Sequence, residues 1–179
     1  MRIGAYETET PFATAGSGSA RWCAARREGQ QYFLKQFLTP VQPATFSSVP
    51  AALRRKQRER CDLFEHRKNA LYEALRCTLG DCVVPVTDFF AWEGRYYAAS
   101  AYLPGAQETL ETLGSVSPDE AQSLLFALAR CLGRVHAQGV VHADLKPEHV
   151  LPVREDGRLS VRLIDFDSGF LETDPPREA

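Results

Sequence analysis

The residues best suited to chemistry stand close together late in the chain. His142-Ala143-Asp144-Leu145-Lys146-Pro147-Glu148-His149 reads as a polar loop, and it follows an amphipathic stretch and precedes a short strand. Twenty-one residues after Asp144, the run Leu163-Ile164-Asp165-Phe166-Asp167 puts an acid at the end of an apolar strand. Taken singly, each acid is an ordinary turn former or strand end. Two acids on neighbouring loops, one of them beside a lysine, match what phosphoryl transfer asks of a protein. One carboxylate orients the attacking hydroxyl, another holds a metal against the phosphates, and a cation neutralises them.

The elements that must carry these residues are read from periodicity and punctuation. An opening stretch to Phe12, then Arg21 to Arg27, then Gln31 to Leu38 read as strands, with Ala15-Gly16-Ser17-Gly18-Ser19-Ala20 and Glu28-Gly29-Gln30 as turns. Residues 39–50 carry three prolines and four Ser or Thr, which predicts a loop or insertion. A helix is predicted over 53–79, with Cys61, Phe64, the stem of Lys68, Leu71 and Leu75 on one face and Gly80-Asp81 as its stop. Two strands follow, joined at Glu93-Gly94 and closed at Pro104-Gly105. Ser117-Pro118-Asp119-Glu120 has the form of a helix start, and the helix runs through Leu124, Leu128, Leu132 and Val135 to stop before Gly139. After the polar loop come a short strand near Val150-Leu151, a turn at Glu155-Asp156-Gly157 and the strand Val161 to Ile164. The order predicts an α+β chain of two lobes: a sheet-rich lobe at 1–102 and a mainly helical one at 103–179. A cleft between lobes is a common ligand site.

At this point the chain resembles the protein-kinase-like superfamily, on its Ser/Thr protein kinase branch. The loop 142–149 agrees at six of eight positions with the family's catalytic pattern H-R-D-L-K-P-E-N, and Asp165-Phe166-Asp167 is similar to its D-F-G segment. Gly16-Ser17-Gly18 resembles the glycine-rich loop, although Arg21 stands where the third glycine belongs. Tyr32-Phe33-Leu34-Lys35 resembles the strand ending in the ATP-pairing lysine, and Tyr97 to Leu103 falls where the inter-lobe hinge lies.

The resemblance implies ATP and Mg2+ as cofactors and a protein Ser/Thr hydroxyl as acceptor. Asp144 would orient that hydroxyl and accept its proton, with Lys146 near the transferred phosphate. Asp165, with His149, would hold metal. Lys35, Gly16, Gly18 and the hinge residues Ala101 and Leu103 would bind the nucleotide. Lys35 needs a helix carboxylate, and on the wheel Glu65 flanks the packed face while Glu73 points away. Glu65 is therefore the expected partner. His136 and His142 are read as structural.

Three departures bear on activity. Ala143 replaces the arginine that answers an activation-segment phosphate, so that route lacks its receiver. His149 replaces the asparagine of the second metal, although Mg2+ prefers oxygen. Asp167 replaces the glycine of D-F-G and adds a carboxylate. The family pattern also continues past the metal segment, so a fragment completed by a further C-terminal domain or partner is expected. A pseudokinase and a small-molecule kinase of the aminoglycoside or choline type are the alternative readings. The latter favours a small residue between His142 and Asp144 and an acid after the metal acid.

Composition sets the frame. The chain has 179 residues, 44% hydrophobic and 25% charged, with net charge −2, which predicts an ordinary globular protein without a general drive toward nucleic acid or membrane. The basic run Arg54 to Arg60 reads as a solvated helix start. The five cysteines form no CxxC pair, so neither a disulfide framework nor a zinc site is expected, and a reducing cytoplasm fits. Residues 1–20 lack the apolar core of a secretory signal, and no apolar run approaches membrane-spanning length.

Overall fold

The computed structural model describes residues 1–14, 20–44, 49–77, 81–103, 114, 116–155 and 158–176, with side chains left out at 155 and 158. It divides into two compact units, one of residues 1–69 and 86–102, the other of 70–85 and 103–179. The architecture is the α+β, two-lobed one that the resemblance implies. No helix among the described residues is long and apolar enough to cross a membrane.

The first unit is a six-stranded antiparallel sheet in the order β1-β2-β3-β4-β6-β5. Its strands are β1 (Arg2–Ile3), β2 (Tyr6–Thr8), β3 (Ala20–Arg27), β4 (Gln30–Phe37), β5 (Val86–Trp92) and β6 (Arg95–Ala101). The opening stretch is thus a tight hairpin, not one strand. It turns at Gly4, whose φ of 57° favours glycine, and Ala13 further on rejoins the sheet, bridging to Trp22. Alternation sorts the side chains onto two faces. Ile3, Tyr6, Cys23, Ala25, Leu34, Tyr97 and Ala99 form the core of one face.

Helix α1 (Ala51–Cys77) begins two residues before its predicted start, directly after Pro50; residues 78–80, with the predicted glycine stop, lie outside the described residues. Phe64 brings α1 onto the sheet, with ring centroids 5.2 Å from both Phe37 and Tyr96 and 6.1 Å from Phe89. Cys61, Lys68, Leu71, Tyr72 and Leu75 are its buried side chains, so the three- and four-residue spacing expected from sequence is the buried stripe.

The second unit is built on α2 (Pro118–Ala137) and two small sheets. Ser117 caps α2 through a reciprocal box: its Oγ accepts from Glu120 N at 3.2 Å, and its own N–H donates to Glu120 Oε2 at 3.0 Å. Pro118 opens the helix, where a missing N–H does no harm. Leu124, Cys131 and Val135 form its buried stripe. The helix reverses at Gly139, φ 67°, into β7 (Val140–Val141). A hairpin of β8 (Val150–Glu155) and β9 (Arg158–Leu163) is longer than the short strands expected there. Strand β10 (Phe170–Leu171) pairs with β7, a pairing not expected from sequence. Val83 joins β9 in parallel, with Leu163 N donating to Cys82 O and Leu163 O accepting from Val84 N.

Candidate active site

The second unit gathers four of the expected site residues, and it does so through the backbone of one residue. β9 ends at Leu163, and Ile164 follows with both main-chain groups engaged. Its N–H donates to His149 O at 3.0 Å, and its carbonyl accepts from His142 Nε2 at 2.9 Å. A carbonyl only accepts, so Nε2 of His142 carries the hydrogen and Nδ1 is bare. That Nδ1 is buried, with no hydrogen-bond partner among the described residues. His142 is buried against Phe166, with ring centroids 4.3 Å apart, and burial holds its imidazole below the usual histidine range.

Between these two anchors the loop turns outward. Ala143 has φ 61°, a left-handed conformation that L residues adopt at a cost. The turn sends the Asp144 side chain toward solvent, about half exposed at 48%. Lys146 Nζ lies 3.5 Å from Asp144 Oδ2. Pro147–His149 then form one 3-10 turn, with His149 N donating to Lys146 O at 2.9 Å. This turn carries the His149 ring back inside, to 8% exposure. There its Nδ1 lies 2.7 Å from Asp144 O, and its Nε2 lies 3.4 Å from Asp165 Oδ2. Asp165 is the second left-handed residue of the site, also φ 61°. Aspartate tolerates this region better than most residues. Two such residues at the two acids are the kind of stored strain found where backbone serves chemistry.

Tyr72, in the last turns of α1 and part of this same unit, is a site residue that sequence reasoning misses. Its phenol is pushed well up, chiefly by burial and then by the carboxylates of Asp167 and Asp165. In the sequence it is one more apolar-face residue, and nothing local distinguishes it from a core tyrosine.

In the first unit, Lys35 lies on β4 opposite Trp22 of β3 and Ala98 of β6. It shares a face with Phe33 and Phe37, and Trp22 stacks on Phe33 at 4.8 Å between centroids. Glu65 is exposed, and its carboxylate accepts from Tyr96 Oη at 3.3 Å. Lys68, also on α1, is buried at 6% exposure, its Nζ 5.6 Å from the Phe37 ring centroid and 5.9 Å from that of Phe64. The sequence pattern puts the Lys68 stem on the packed face but gives no sign that the ammonium follows it. Ala101 ends β6, half-buried, and Tyr102 N donates to Gln31 O at 3.2 Å. Leu103 is half-buried and falls in the second unit. Gly16 and Gly18 lie outside the described residues.

The family model described as protein kinase domain matches residues 54–174. Similar curated proteins include serine/threonine-protein kinase PknH of Mycobacterium bovis, 30% identical over 94 residues, covering 51% of this chain and 15% of that protein. Serine/threonine-protein kinase D of Synechocystis sp. is 31% identical over 78 residues, 44% of this chain and 15% of its own length. Ribosomal protein S6 kinase 2 alpha of Xenopus laevis is 42% identical over 66 residues, 32% of this chain and 9% of its own length. The chain thus spans a small part of these relatives.

Proposed function

Because the chain belongs to the protein kinase domain family, we propose that it is an ATP-dependent protein kinase catalytic region acting on Ser or Thr hydroxyls. The observation that carries this reading is the cluster of Asp144, Lys146, His149 and Asp165, held on two segments that Ile164 ties together. Asp144 is exposed enough to meet a substrate hydroxyl, to orient it and to accept its proton. Lys146 sits beside it with an ammonium that follows charge onto the transferred group. Lys35 would hold the inner phosphates of ATP, with Gly16, Gly18, Ala101 and Leu103 against the nucleotide.

The oxygen donors of Asp165 suit Mg2+, and Asp165 with Asp167 nearby would hold it. When bound, the ion neutralises the outer phosphates and so lowers the charge barrier to attack. The chain's own part is to keep the two carboxylates oriented, which the histidine hydrogen bonds and the two left-handed residues do.

The test is transfer of labelled phosphate from ATP to protein substrates, with Asp144→Ala and Asp165→Ala as controls. Loss of transfer in both variants, with a Mg2+-dependent ATP thermal shift surviving in Asp144→Ala, supports the reading. His149 at the asparagine position favours a second reading, a nucleotide-binding regulatory module. A retained ATP shift without transfer to any acceptor, aminoglycosides and choline included, would establish that one. The five free thiols support a reducing compartment such as the cytoplasm.

A further inference from the structure

Four of the five thiols are buried, and two of those four, Cys82 and Cys131, meet in the second unit. Cys82 stands just before Val83, whose bridge to Leu163 lays that segment alongside β9. Leu163 N donates to Cys82 O at 2.9 Å, which fixes Cys82 against the end of the strand. Cys131 lies on the buried stripe of α2, and its thiol donates to Val161 O at 3.7 Å, two residues back on that strand. Three residues further along α2, Arg134 Nη1 donates to Cys82 Sγ at 3.6 Å. Helix and strand thus bring together two sulfurs from distant parts of the chain. Burial, and next the Cys82 thiol beside it, push the Cys131 thiol up to about 12.

The surroundings make the two sulfurs unequal. The hydrogen of Cys131 is committed to a backbone carbonyl, whereas the Cys82 sulfur accepts from a guanidinium. Reactive cysteines sit beside positive charge, and cysteines in apolar surroundings are inert. Arg134 is itself anchored by Asp81, its Nη1 2.9 Å from both carboxylate oxygens. That ion pair is part-exposed, at 38% and 46%, while Cys82 and Cys131 are both 0% exposed. The Cys82 sulfur therefore lies one side chain beneath a solvated ion pair. A structural zinc asks for four ligands, and among the described residues no group of three or more His, Cys, Asp or Glu gathers to hold a metal. Thiol chemistry is what the pair can do.

We infer that Cys82 and Cys131 are a modification site, a reversible disulfide formed by a hydroperoxide, with Cys82 attacking and Cys131 resolving. The Cys82 sulfur attacks one peroxide oxygen. The S–O bond forms as the O–O bond breaks, and the departing oxygen leaves with the thiol proton as water or an alcohol. Sulfur is oxidised to the sulfenic acid as the peroxide is reduced. The Cys131 sulfur then attacks the Cys82 sulfur. The S–S bond forms, the S–O bond breaks, and the hydroxyl leaves with the Cys131 proton as water. Arg134 faces the sulfur that carries negative charge in the first step. Thiol exchange reverses the bond, which suits a compartment where disulfides are transient. The bond ties α2 to the segment whose carbonyl receives Leu163 N, one residue before Ile164. None of this depends on the nucleotide reading.

The experiment treats the full native chain with a bulky maleimide, which blocks the exposed Cys77, and then with hydrogen peroxide. Thiols counted in denaturant should fall from four to two and return to four after dithiothreitol. Peptide mapping should join Cys82 to Cys131. In Cys131→Ser, the same treatment should leave a sulfenic acid on Cys82 that dimedone captures; in Cys82→Ser, Cys131 should stay a thiol. Counting and mapping need no substitution, so a serine variant that folds poorly does not block the test. The linked chain should melt about 4–16 °C above the reduced one, the usual gain from closing a long loop. Four intact thiols, or a disulfide mapped to Cys23, to Cys61 or to a second chain, overturns the inference. A sulfenic acid captured on Cys131 overturns the assigned order. A linked chain that melts at or below the reduced one shows a fold strained by the bond, and overturns the site as well.

Discussion

Gly169 closes the turn after the metal-site acids, and its replacement by alanine is a quantitative probe of how tightly that segment is built. Gly169 N donates to Phe166 O at 3.0 Å. A Cβ placed on Gly169 would lie 3.1 Å from Phe166 O, 3.2 Å from Val141 O and 3.4 Å from Phe166 Cβ. The two closest atoms are main-chain oxygens of different segments, so neither can rotate aside. The segment must shift by a few tenths of an ångström, and Phe166 must move with it against His142. Overpacking of this kind costs about 1–3 kcal/mol. Alanine recovers about 0.4–1 kcal/mol by restricting the unfolded chain, which leaves a net loss of about 1–2 kcal/mol.

For a chain of this length each kcal/mol moves Tm by about 2–4 °C. Gly169→Ala should thus lower the melting midpoint by about 2–8 °C in a calorimetric or dye-based melt. Gly133→Ala is the counter-experiment. Gly133 lies within α2, is exposed, and an added Cβ meets nothing within 4 Å. There alanine should stabilise by about 1 kcal/mol, a rise of about 2–4 °C. If Gly133→Ala rises as expected while Gly169→Ala melts at or above the parent temperature, the close approach of Val141, Phe166 and Gly169 is not real.

Three further outcomes are expected. Bonds to Arg154 and to Ser117 pull the Glu120 carboxyl from its ordinary 4.5 down to about 2. Its folded value lies below its unfolded one, so its contribution is complete above pH about 4.5 and lost as pH falls through about 2. Glu120→Gln should melt below the parent at pH 7, with the gap closing across that window; a gap constant from pH 7 to pH 2 refutes the assignment. Ala143→Gly should raise stability by about 0.5–1 kcal/mol, left-handed strain of about 1–2 kcal/mol being relieved and partly offset by glycine's unfolded-state entropy. Ala143→Val should lower it, and the ranking Gly, Ala, Val is checked by urea melts. Finally, Cys77 is exposed while the other four thiols are buried, with Cys23 pushed up to about 11 and Cys131 to about 12. A thiol reagent at pH 8 should label one site per native chain, lost in Cys77→Ser, and five in denaturant.

Features set by neighbours along the chain are legible in the sequence alone. The start of α2 needs only Ser117, Pro118 and Glu120, whose capping bonds to one another span three residues; the bond from Arg154 to Glu120 is a separate, long-range one. The apolar stripes of α1 and α2 follow from one turn of helix. The acids and histidines of the candidate site are visible because the loop 142–149 and the run 163–167 are each contiguous. What escapes depends on distant pairing. The two-residue strand β10 exists because Phe170 and Leu171 meet Val141 and Val140 of β7, some thirty residues back in the chain. Tyr72 reads as core until Asp165 and Asp167 are brought near it. Lys68 carries a charge inward, where it lies near aromatic rings from β4 and from α1 itself. Both are tertiary facts that no local pattern encodes. The part played by His149 depends on which acceptor each ring nitrogen faces, which spacing alone leaves open.

The two hydrogen bonds made by Ile164 have a consequence for how this segment tolerates lengthening. His142 and His149 clamp one peptide neighbourhood from both sides. The distance between the two acids is therefore indifferent to the tether of chain that joins them. That tether carries β8 and β9, whose six-pair ladder separates the clamp from the ladder's far end at the Glu155–Arg158 pair. A guest peptide spliced in at that far end meets the ladder before it meets the acids. Doubling the length of a connecting loop adds only about 0.6 kcal/mol of closure entropy, so the far end of the ladder is a natural graft point for a reporter that leaves the carboxylates where they are.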